Sequence, residues 1–319
     1  IGVNSGDYAP IYRNKERIKE NDYNGYLTTR LTEEAVSFID RHEKKPFFLY
    51  LAYNAVHAPA QAPEKDIKQM QKKFPHLDTK RAILIAMLHH LDLGVGAVVN
   101  KLKTQGLWEN TLLFFLTDNG GSKAMHANNG KLRGFKGSLY EGGIRTPFIV
   151  SWPAKFKGGR TINKPVISLD ILPTVIDATN TARLGKQKFD GKSLLPLLNE
   201  NSTNHHPLLF WNSGQEKSEW AVREGKWKAH SLRGKLQLFN LIKDPSEKNN
   251  IVNKEAALAK RLAELHSNWH TKMRQSEVKL TGSNPNTKNK STKQNARELK
   301  RKKKREERKE ARIKTKQDK

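Results

Sequence analysis

No cysteine occurs among the 319 residues of this chain. Disulfide bonds, thiolate metal sites and cysteine nucleophiles are therefore excluded from these residues. The sequence also has no run of about 18 apolar residues, the length that crosses a bilayer, so we expect no transmembrane segment. It opens without the starting methionine, the basic stretch and the apolar stretch that together mark a signal peptide. We therefore expect the sequence to be a fragment that begins inside a longer protein.

Acidic residues are scarce relative to basic ones. The chain has 32 Asp and Glu against 59 Lys and Arg, which gives a net charge of +27. A basic surface favours an anionic partner: nucleic acid, an acidic membrane surface, or a sulfated or phosphorylated substrate. Residues 276–319 hold 17 basic and six acidic side chains and few apolar ones, which predicts a disordered or loosely helical tail.

Three short apolar runs predict buried strands: FFLYLAY (47–53), TLLFFLT (111–117) and PFIVSW (147–152). Between residues 79 and 103 an apolar residue recurs every three or four positions, which predicts a long helix that Gly106 ends. A second helix is predicted over residues 30–42, with Thr32 as its N-cap. This order of elements is typical of an α/β fold with a mixed, mainly parallel sheet flanked by helices.

The predicted sheet places several polar side chains together. In parallel sheets, ligands bind beyond the carboxyl ends of the strands. His57 follows the first predicted strand, and Asp118 and Asn119 follow the second. We therefore expect these three side chains at one edge of the sheet.

The carboxyl-terminal part of the sequence has a different pattern. Residues 207–242 alternate between apolar and polar types, which predicts antiparallel strands with turns at Gly225 and Gly234. An Ala- and Leu-rich stretch predicts a helix over 255–273. We expect three regions: the carboxyl-terminal part of a catalytic domain (1–200), a small antiparallel-sheet-plus-helix subdomain (201–275) and the basic tail (276–319).

Asp118-Asn119-Gly120 puts two oxygen-bearing side chains next to each other at a strand end. Calcium and magnesium take oxygen ligands, and calcium accepts carboxylate and amide oxygens together. The tripeptide is also typical of a tight turn, and on these three residues alone the turn is the more common interpretation.

Two further side chains are candidates for acid–base and charge-stabilising roles. His57, in the loop AVHAP, is suited to protonate a leaving group, although a packed or surface histidine is the ordinary alternative. Lys136 lies between Gly134 and Gly137, where backbone can approach a ligand and the ammonium can neutralise an oxyanion. A solvated lysine on a flexible loop is the alternative.

Taken in order, these motifs resemble the second half of a formylglycine-type sulfatase, as in the arylsulfatases and the N-acetylgalactosamine-6-sulfatases. The resemblance covers residues 20–273 and implies an alkaline-phosphatase-like sheet with a small α+β subdomain after it. It rests on long blocks in the family's order and spacing: PFFLYLAYNAVHAP (46–59), NTLLFFLTDNGG (110–121), RGFKGSLYEGGIRTPFIVSWPA (133–154), SLDILPT (168–174) and DGKSLLPLL (190–198).

The resemblance implies a sulfuric ester hydrolase that uses Ca²⁺. Asp118 and Asn119 would be metal ligands, His57 would help protonate the departing alcohol, and Lys136 would hold a sulfate oxygen. The substrate would be a sulfated small molecule or polysaccharide. The family's habit also favours export, to the periplasm or out of the cell.

Part of the family's machinery is absent from these residues. The family's nucleophile is a hydrated formylglycine made from Cys or Ser in a C/S-x-P-x-R motif. The nearest match, Ser151 to Lys155 (SWPAK), lacks the arginine, and we interpret it as a structural segment. We expect the intact protein to hydrolyse sulfate esters, the fragment alone to be inactive, and apolar sheet edges to be exposed in it.

Three other interpretations stay open. An alkaline-phosphatase-like phosphatase or phosphodiesterase would share the sheet, although such sites need more Asp and His ligands for two transition metals. The basic tail favours polyanion binding, but it lacks aromatic residues and interleaves acidic ones, so we expect no specific nucleic-acid recognition. A remnant without catalysis is the third.

Overall fold

The structure, a computed structural model, describes residues 11–19, 25–182, 188–200, 205–213 and 219–281, with side chains as far as 275. Residues 282–319 of the expected basic tail lie outside this description. The described residues divide into two units, the first ending at Glu255 and the second beginning at Ala256. The first unit opens with a short hairpin of β1 (Tyr12–Arg13) and β2 (Glu16–Arg17).

The first helix, α1, spans Leu27–Arg41 and begins earlier than the sequence predicted. Tyr26 occupies its N-cap position, so the prediction of Thr32 as the N-cap is wrong. Thr32 lies inside the helix and is buried. Its hydroxyl donates to the Thr28 carbonyl at 2.8 Å and lies 2.7 Å from the Tyr53 hydroxyl. A polar residue inside a helix can satisfy itself this way without capping it.

Helices α2 (Glu64–Lys73) and α3 (Thr79–Thr104) complete a three-helix layer with α1. The Asp78 side chain caps α3 by accepting from the Arg81 N–H at 3.0 Å. The helix ends before Gly106, which adopts a left-handed φ of +69°, as predicted. Hydrogen-bonded side chains link the three helices. His90 of α3 has its Nδ1 3.0 Å from Asp66 Oδ2 of α2 and its Nε2 2.7 Å from Thr29 Oγ1 of α1.

By length and composition, α3 is apolar enough to cross a membrane, with a mean hydropathy of 1.9 over its most apolar 18 residues. The core helix of a globular domain satisfies the same test. Val98 and Leu102 of α3 pack with buried residues of α1, Leu84 and Met87 pack with Met125, and His90 bonds polar groups on α1 and α2. These contacts are those of a core helix.

Residues 47–53 form no regular secondary structure and pair with no strand in the described ranges. Alternate side chains, Phe47, Leu49 and Leu51, pack on a buried cluster formed by α1 and α3. The intervening Phe48 and Tyr50 are 75% and 81% exposed. The prediction of a strand buried on both faces is therefore wrong for this segment, because only one of its faces is covered.

The second and third predicted strands form β3 (Leu113–Leu116) and β4 (Phe148–Ser151). They pair antiparallel, with Leu113 opposite Ser151 and Leu116 opposite Phe148, a pairing that the expected mixed, mainly parallel sheet allows. Parallel neighbours need a crossover connection, usually a helix, whereas the connection between these two strands is a glycine-rich loop with only short helical turns. The end of β3 and the start of β4 consequently lie at the same edge.

The β3–β4 pair lies between two apolar clusters. Leu113 packs with the α1–α3 cluster, while its neighbour Phe114 packs with a cluster around Leu194, Leu197 and Leu198. The second cluster belongs to helix α6 (Leu195–Leu198), and helix α5 (Ile171–Thr179) contacts α6. Helices therefore cover both faces of this pair, which is the layering of an α/β fold.

A four-stranded antiparallel sheet follows, as predicted. Its strands are β5 (Leu208–Asn212), β6 (Trp220–Glu224), β7 (Trp227–Leu232) and β8 (Lys235–Asn240), in that spatial order. The turns hold Gly225 and Gly234, both at positive φ. A short helix, α4 (Glu141–Ile144), lies in the loop before β4. In the second unit, helix α7 spans Ala256–Thr281 and extends beyond the predicted 255–273.

Candidate functional site

The loop between β3 and β4 carries three of the four predicted site residues. Asp118 and Asn119 come two and three positions after the end of β3. Asp118 is exposed, and its Oδ1 accepts from the Asn119 N–H at 2.9 Å. The Asn119 amide group donates to the Gly120 carbonyl at 2.9 Å, which turns the amide oxygen away from that carbonyl.

Lys136 is held against the same strand end by its backbone. Its N–H donates to the Gly121 carbonyl at 3.0 Å. The Lys136 side chain is exposed, so the ammonium is available to an anion in solution. The sequence argument placed the site at the ends of parallel strands, whereas the structure brings Lys136 and the Asp118-Asn119 pair together through one folded loop.

Gly120 and Gly142 let distant segments of the β3–β4 loop come into close contact. The Gly120 N–H donates to the Gly143 carbonyl at 2.9 Å, and the Gly142 N–H donates to the Arg133 carbonyl at 2.7 Å. A Cβ on Gly120 would lie 1.8 Å from the Gly142 carbonyl oxygen, and one on Gly142 would lie 2.4 Å from the Gly134 carbonyl oxygen. These separations are far below contact distance, so larger residues do not fit at these positions.

Asn129 joins two segments of the β3–β4 loop by hydrogen bonds, a role that the sequence alone did not reveal. Its Oδ1 accepts from the Gly121 N–H at 2.9 Å, and its Nδ2 donates to the Gly134 carbonyl at 2.9 Å. One side chain thus ties the segment after Asp118-Asn119 to the segment before Lys136. The Asn128-Asn129-Gly130 triplet is a turn signal, but nothing in the sequence shows which groups its amides bond.

His57 lies in a loop that packs beside the β3–β4 loop on helix α3. Its side chain is exposed, and its Nδ1 lies 2.9 Å from the Ala58 carbonyl oxygen. Its neighbours Val56 and Ala60 pack with Met125, from the β3–β4 loop, on a cluster containing Leu84 and Met87 of α3. Packing therefore associates the His57 loop with the loop that carries the other three residues.

A buried ion cluster holds the β3–β4 loop against the four-stranded sheet. Lys228 of β7 is fully buried, and its Nζ lies 2.9 Å from Glu141 Oε1 and 2.9 Å from Glu247 Oε1. The Glu141 N–H also donates to Glu247 Oε2 at 2.6 Å, and Arg133 Nη1 donates to the Glu247 carbonyl at 2.8 Å. Burial raises the pKa of Glu247, and the Lys228 charge opposes that shift. The cluster joins the glycine-rich loop to the four-stranded sheet.

A second contact between loop and sheet involves His230. Glu219 Oε1 accepts from the Leu139 N–H at 2.8 Å and lies 2.7 Å from His230 Nε2. The His230 ring meets the Tyr140 ring edge-on at 4.3 Å. Burial lowers the pKa of His230 to about 4, while Glu219 acts in the opposite direction. His230 is therefore neutral around pH 7, with Glu219 accepting from it.

A further cluster of titratable groups was not predicted from the sequence. Asp170, His205 and His206 are all buried, and one ligand atom from each lies within 4.8 Å of the others. Asp170 lies at the start of α5, and the histidines precede β5. The available signals were the adjacent histidines before an apolar run and the lone acid in SLDILPT, but no spacing rule links them.

The donor chemistry of the first site fits a hard divalent cation. Asp118 offers a carboxylate and Asn119 an amide oxygen, and calcium accepts both kinds. Calcium usually takes six to eight oxygen ligands, so water, substrate or other residues would supply the remainder. The Asp170 cluster offers two imidazoles and one carboxylate, a different donor set.

Comparison with known families gives two matches. Residues 4–181 match the sulfatase family, and residues 134–278 match the family described as N-sulphoglucosamine sulphohydrolase, C-terminal. Among curated relatives, the uncharacterized sulfatase YdeN of Escherichia coli K12 is 34% identical over 63% of this chain and 36% of its own length. Mouse steryl-sulfatase is 31% identical over 66% of this chain and 34% of its own length.

Solved structures are also similar to this chain. The structure described as Ps i-CgsB in complex with k-i-k-neocarrahexaose has a TM-score of 0.75 at 33% identity, over 82% of this chain and 58% of its own. A Bacteroides thetaiotaomicron sulfatase (BT33336S-sulf), from work on glycosaminoglycan metabolism, has a TM-score of 0.63 at 26% identity, over 77% and 54%.

The chain spans about a third of the length of the curated relatives it matches. Its structural neighbours are sulfatases of the alkaline-phosphatase-like α/β fold, which confirms the expected fold class. The sulfatase match covers more than half of the residues. This chain belongs to the sulfatase family.

Proposed function

We propose that the protein containing this chain hydrolyses sulfate esters, and that its β3–β4 loop supplies part of the active site. Family membership supports the reaction class. The observation that carries the assignment to this loop is the hydrogen bond from the Lys136 N–H to the Gly121 carbonyl. It fixes a cation-bearing residue beside the strand end that holds Asp118 and Asn119.

Each residue has a role that its chemistry supports. Asp118 and Asn119 would hold Ca²⁺, which acts as a Lewis acid that offsets charge on the sulfate group. The Lys136 ammonium would bind a sulfate oxygen and stabilise the charge that develops on it in the transition state. Exposed His57 would donate a proton to the departing alcohol oxygen. Asn129 and the Glu141–Lys228–Glu247 cluster would hold the loop in position.

A sulfated saccharide is the substrate class we propose. One similar structure was solved with k-i-k-neocarrahexaose, and another is described with D-glucosamine-2-N,6-O-disulfate. The charge of this chain, +27, favours association with a polyanion. A sulfated small molecule remains the alternative substrate, and export to the periplasm or out of the cell is part of the same proposal.

The test compares a sulfate ester and a phosphate ester with the same leaving group, using the protein expressed from its complete reading frame. p-Nitrophenyl sulfate and p-nitrophenyl phosphate release the same chromophore, so their rates separate a sulfatase from an alkaline-phosphatase-like phosphatase. We expect sulfate hydrolysis that requires calcium. Faster phosphate hydrolysis that requires zinc would favour the phosphatase.

Variants connect that activity to the loop. Lys136→Ala should reduce sulfate hydrolysis by about 10²–10³-fold, the usual cost of losing one group that stabilises a developing oxyanion. Lys131→Ala is the matched control, because Lys131 is an exposed lysine of the same loop. Equal rates for the two variants would remove Lys136 from the active site and leave the reaction class standing.

A further inference from the structure

We propose that Asp170, His205 and His206 form a second metal site, for a transition-metal ion of the zinc class, made of residues other than those assigned to calcium. The proposal rests on how the three side chains converge. His205 Nε2 lies 3.1 Å from Asp170 Oδ2, and His206 Nε2 lies 2.9 and 3.0 Å from the two Asp170 oxygens. Both imidazoles thus turn the same nitrogen toward one carboxylate.

The spacing of these atoms fits a bound ion after a small adjustment. Ligand atoms about 2.1 Å from a tetrahedral zinc ion lie about 3.4 Å from one another. The observed nitrogen–oxygen distances of 2.9–3.1 Å are only slightly shorter. The two imidazole nitrogens lie within 4.8 Å of each other, so side-chain rotations that bring all of these separations to about 3.4 Å would admit the ion. Because both Asp170 oxygens face His206, a bidentate carboxylate would complete four donors.

Backbone hydrogen bonds hold the carboxylate in place, as is usual around metal ligands. Asp170 Oδ2 accepts from the Ile167 N–H at 2.9 Å, and Oδ1 accepts from the Lys192 N–H at 2.8 Å. The second bond depends on Gly191, where a Cβ would lie 2.0 Å from the Leu169 carbonyl oxygen. The turn that Gly191 permits therefore orients Asp170 toward the histidines.

Burial and charge favour a cation at this point. The three residues are 0–8% exposed. With neutral imidazoles the cluster has one buried negative charge, and buried charge is costly unless it is paired. The nearby Lys192 ammonium donates to the His205 carbonyl at 2.8 Å, so it does not bond the carboxylate in this arrangement. A divalent ion would compensate Asp170 directly.

The donor set selects the kind of ion. Imidazole nitrogen suits zinc, copper, nickel and iron, whereas calcium and magnesium prefer sites made of oxygen. Calcium should therefore neither fill this site nor displace zinc from it. Within the β3–β4 loop, Asp118 and Asn119 offer the opposite, all-oxygen chemistry.

Equilibrium dialysis of the full 319-residue chain against Zn²⁺ tests the proposal. The wild type should retain one zinc equivalent in excess calcium. His206→Gln should lose at least about tenfold in zinc affinity, the lower end of the cost of removing even an outer partner of a metal site. His76→Gln, an exposed histidine, and Asp118→Asn should bind zinc as the wild type does.

A measurement without variants covers the case in which His206→Gln fails to fold. X-ray absorption at the zinc edge of the loaded wild type should show two imidazoles at about 2.0–2.1 Å. Zinc uptake that is equal in the wild type and His206→Gln, or a spectrum without a pair of imidazoles, would overturn the proposal. The three residues would then form a hydrogen-bonded cluster, and any bound zinc would be adventitious.

Discussion

The ammonium of Lys228 lies 2.9 Å from a carboxylate oxygen of Glu141, and both side chains are almost completely buried. Glu141 belongs to the β3–β4 loop, and Lys228 belongs to strand β7 of the four-stranded sheet. A buried ion pair adds little net stability compared with an apolar pair, but breaking it by removing one partner is expensive. The loop that carries Lys136 is therefore tied to the sheet by an interaction that does not tolerate single substitutions.

Lys228→Met should destabilise the chain by about 3–5 kcal/mol, because it leaves the Glu247 carboxylate buried without its cation and leaves Glu141 only the Arg223 guanidinium, 3.8 Å away. Lys226→Met is the control: Lys226 is an exposed lysine just before β7, and its loss should change stability by no more than about 0.5 kcal/mol. Urea denaturation measures both. Equal effects would show that the buried lysine does not bind these carboxylates.

Stability should fall in mild acid through His230. Burial lowers its pKa from an ordinary 6.5 to about 4; Glu219 opposes this shift, and the Lys228 and Arg133 charges add to it. The unfolded chain takes up a proton below about pH 6.5, and the folded chain does so only near pH 4. The stabilisation is therefore complete above pH 6.5 and is lost as the pH falls toward 4.

The expected loss is about 3 kcal/mol over that range, at about 1.4 kcal/mol per pKa unit. The measurement is the free energy of unfolding at about pH 7 and about pH 4.5 for the wild type and His230→Gln. The wild type should lose more stability between the two pH values than the variant. The same loss in both proteins would mean that other groups account for it.

Residues 47 and 48 should respond very differently to truncation. Phe47 packs on the α1–α3 cluster and meets the Phe38 ring edge-on at 5.6 Å, whereas Phe48 is 75% exposed. Phe47→Ala should cost about 2–3 kcal/mol, less than the roughly 3–5 kcal/mol typical of a fully buried Phe. Phe48→Ala should cost less than about 0.5 kcal/mol. Thermal denaturation compares them, and a larger cost for Phe48→Ala would mean that its face is covered in solution.

The close approach within the β3–β4 loop predicts opposite outcomes for two glycines. Gly120→Ala should destabilise the chain and weaken calcium binding, because its Cβ would overlap the Gly142 carbonyl oxygen. Gly96→Ala, in helix α3, meets no atom within 4 Å and should stabilise by about 0.5–1 kcal/mol, through helix propensity. Melting temperatures and calcium titration measure both effects. A tolerated Gly120→Ala would contradict the loop geometry.

Periodicity predicted the elements that depend on local pattern. Helix α3, its end before Gly106, and the antiparallel order of β5–β8 all follow from spacing and turn residues. The direction of β4 relative to β3 was not predicted, because an apolar run reports burial and not strand direction. The missing helical crossover between residues 117 and 147 was the signal that favoured antiparallel pairing.

The burial of charged residues could not be predicted from the sequence pattern. Lys228 and Glu141 resemble ordinary surface residues in the sequence, since their burial depends on partners 87 positions apart. The same limit hid the association of Asp170 with His206, which lie 36 positions apart. The four predicted site residues were singled out by residue type and position, their specific roles came from a family resemblance, and those roles remain predictions.

The most direct test of the central claim is the calcium dependence of sulfate release in the wild type and in Asp118→Ala, both expressed from the complete reading frame. Chelation should reduce wild-type sulfate release by about 10²-fold or more, and added calcium should restore it. Asp118→Ala should stay at the chelated rate at every calcium concentration, while Asp177→Ala, an exposed acid on α5, should behave as the wild type. Wild-type rates and unchanged calcium dependence in Asp118→Ala would contradict the account.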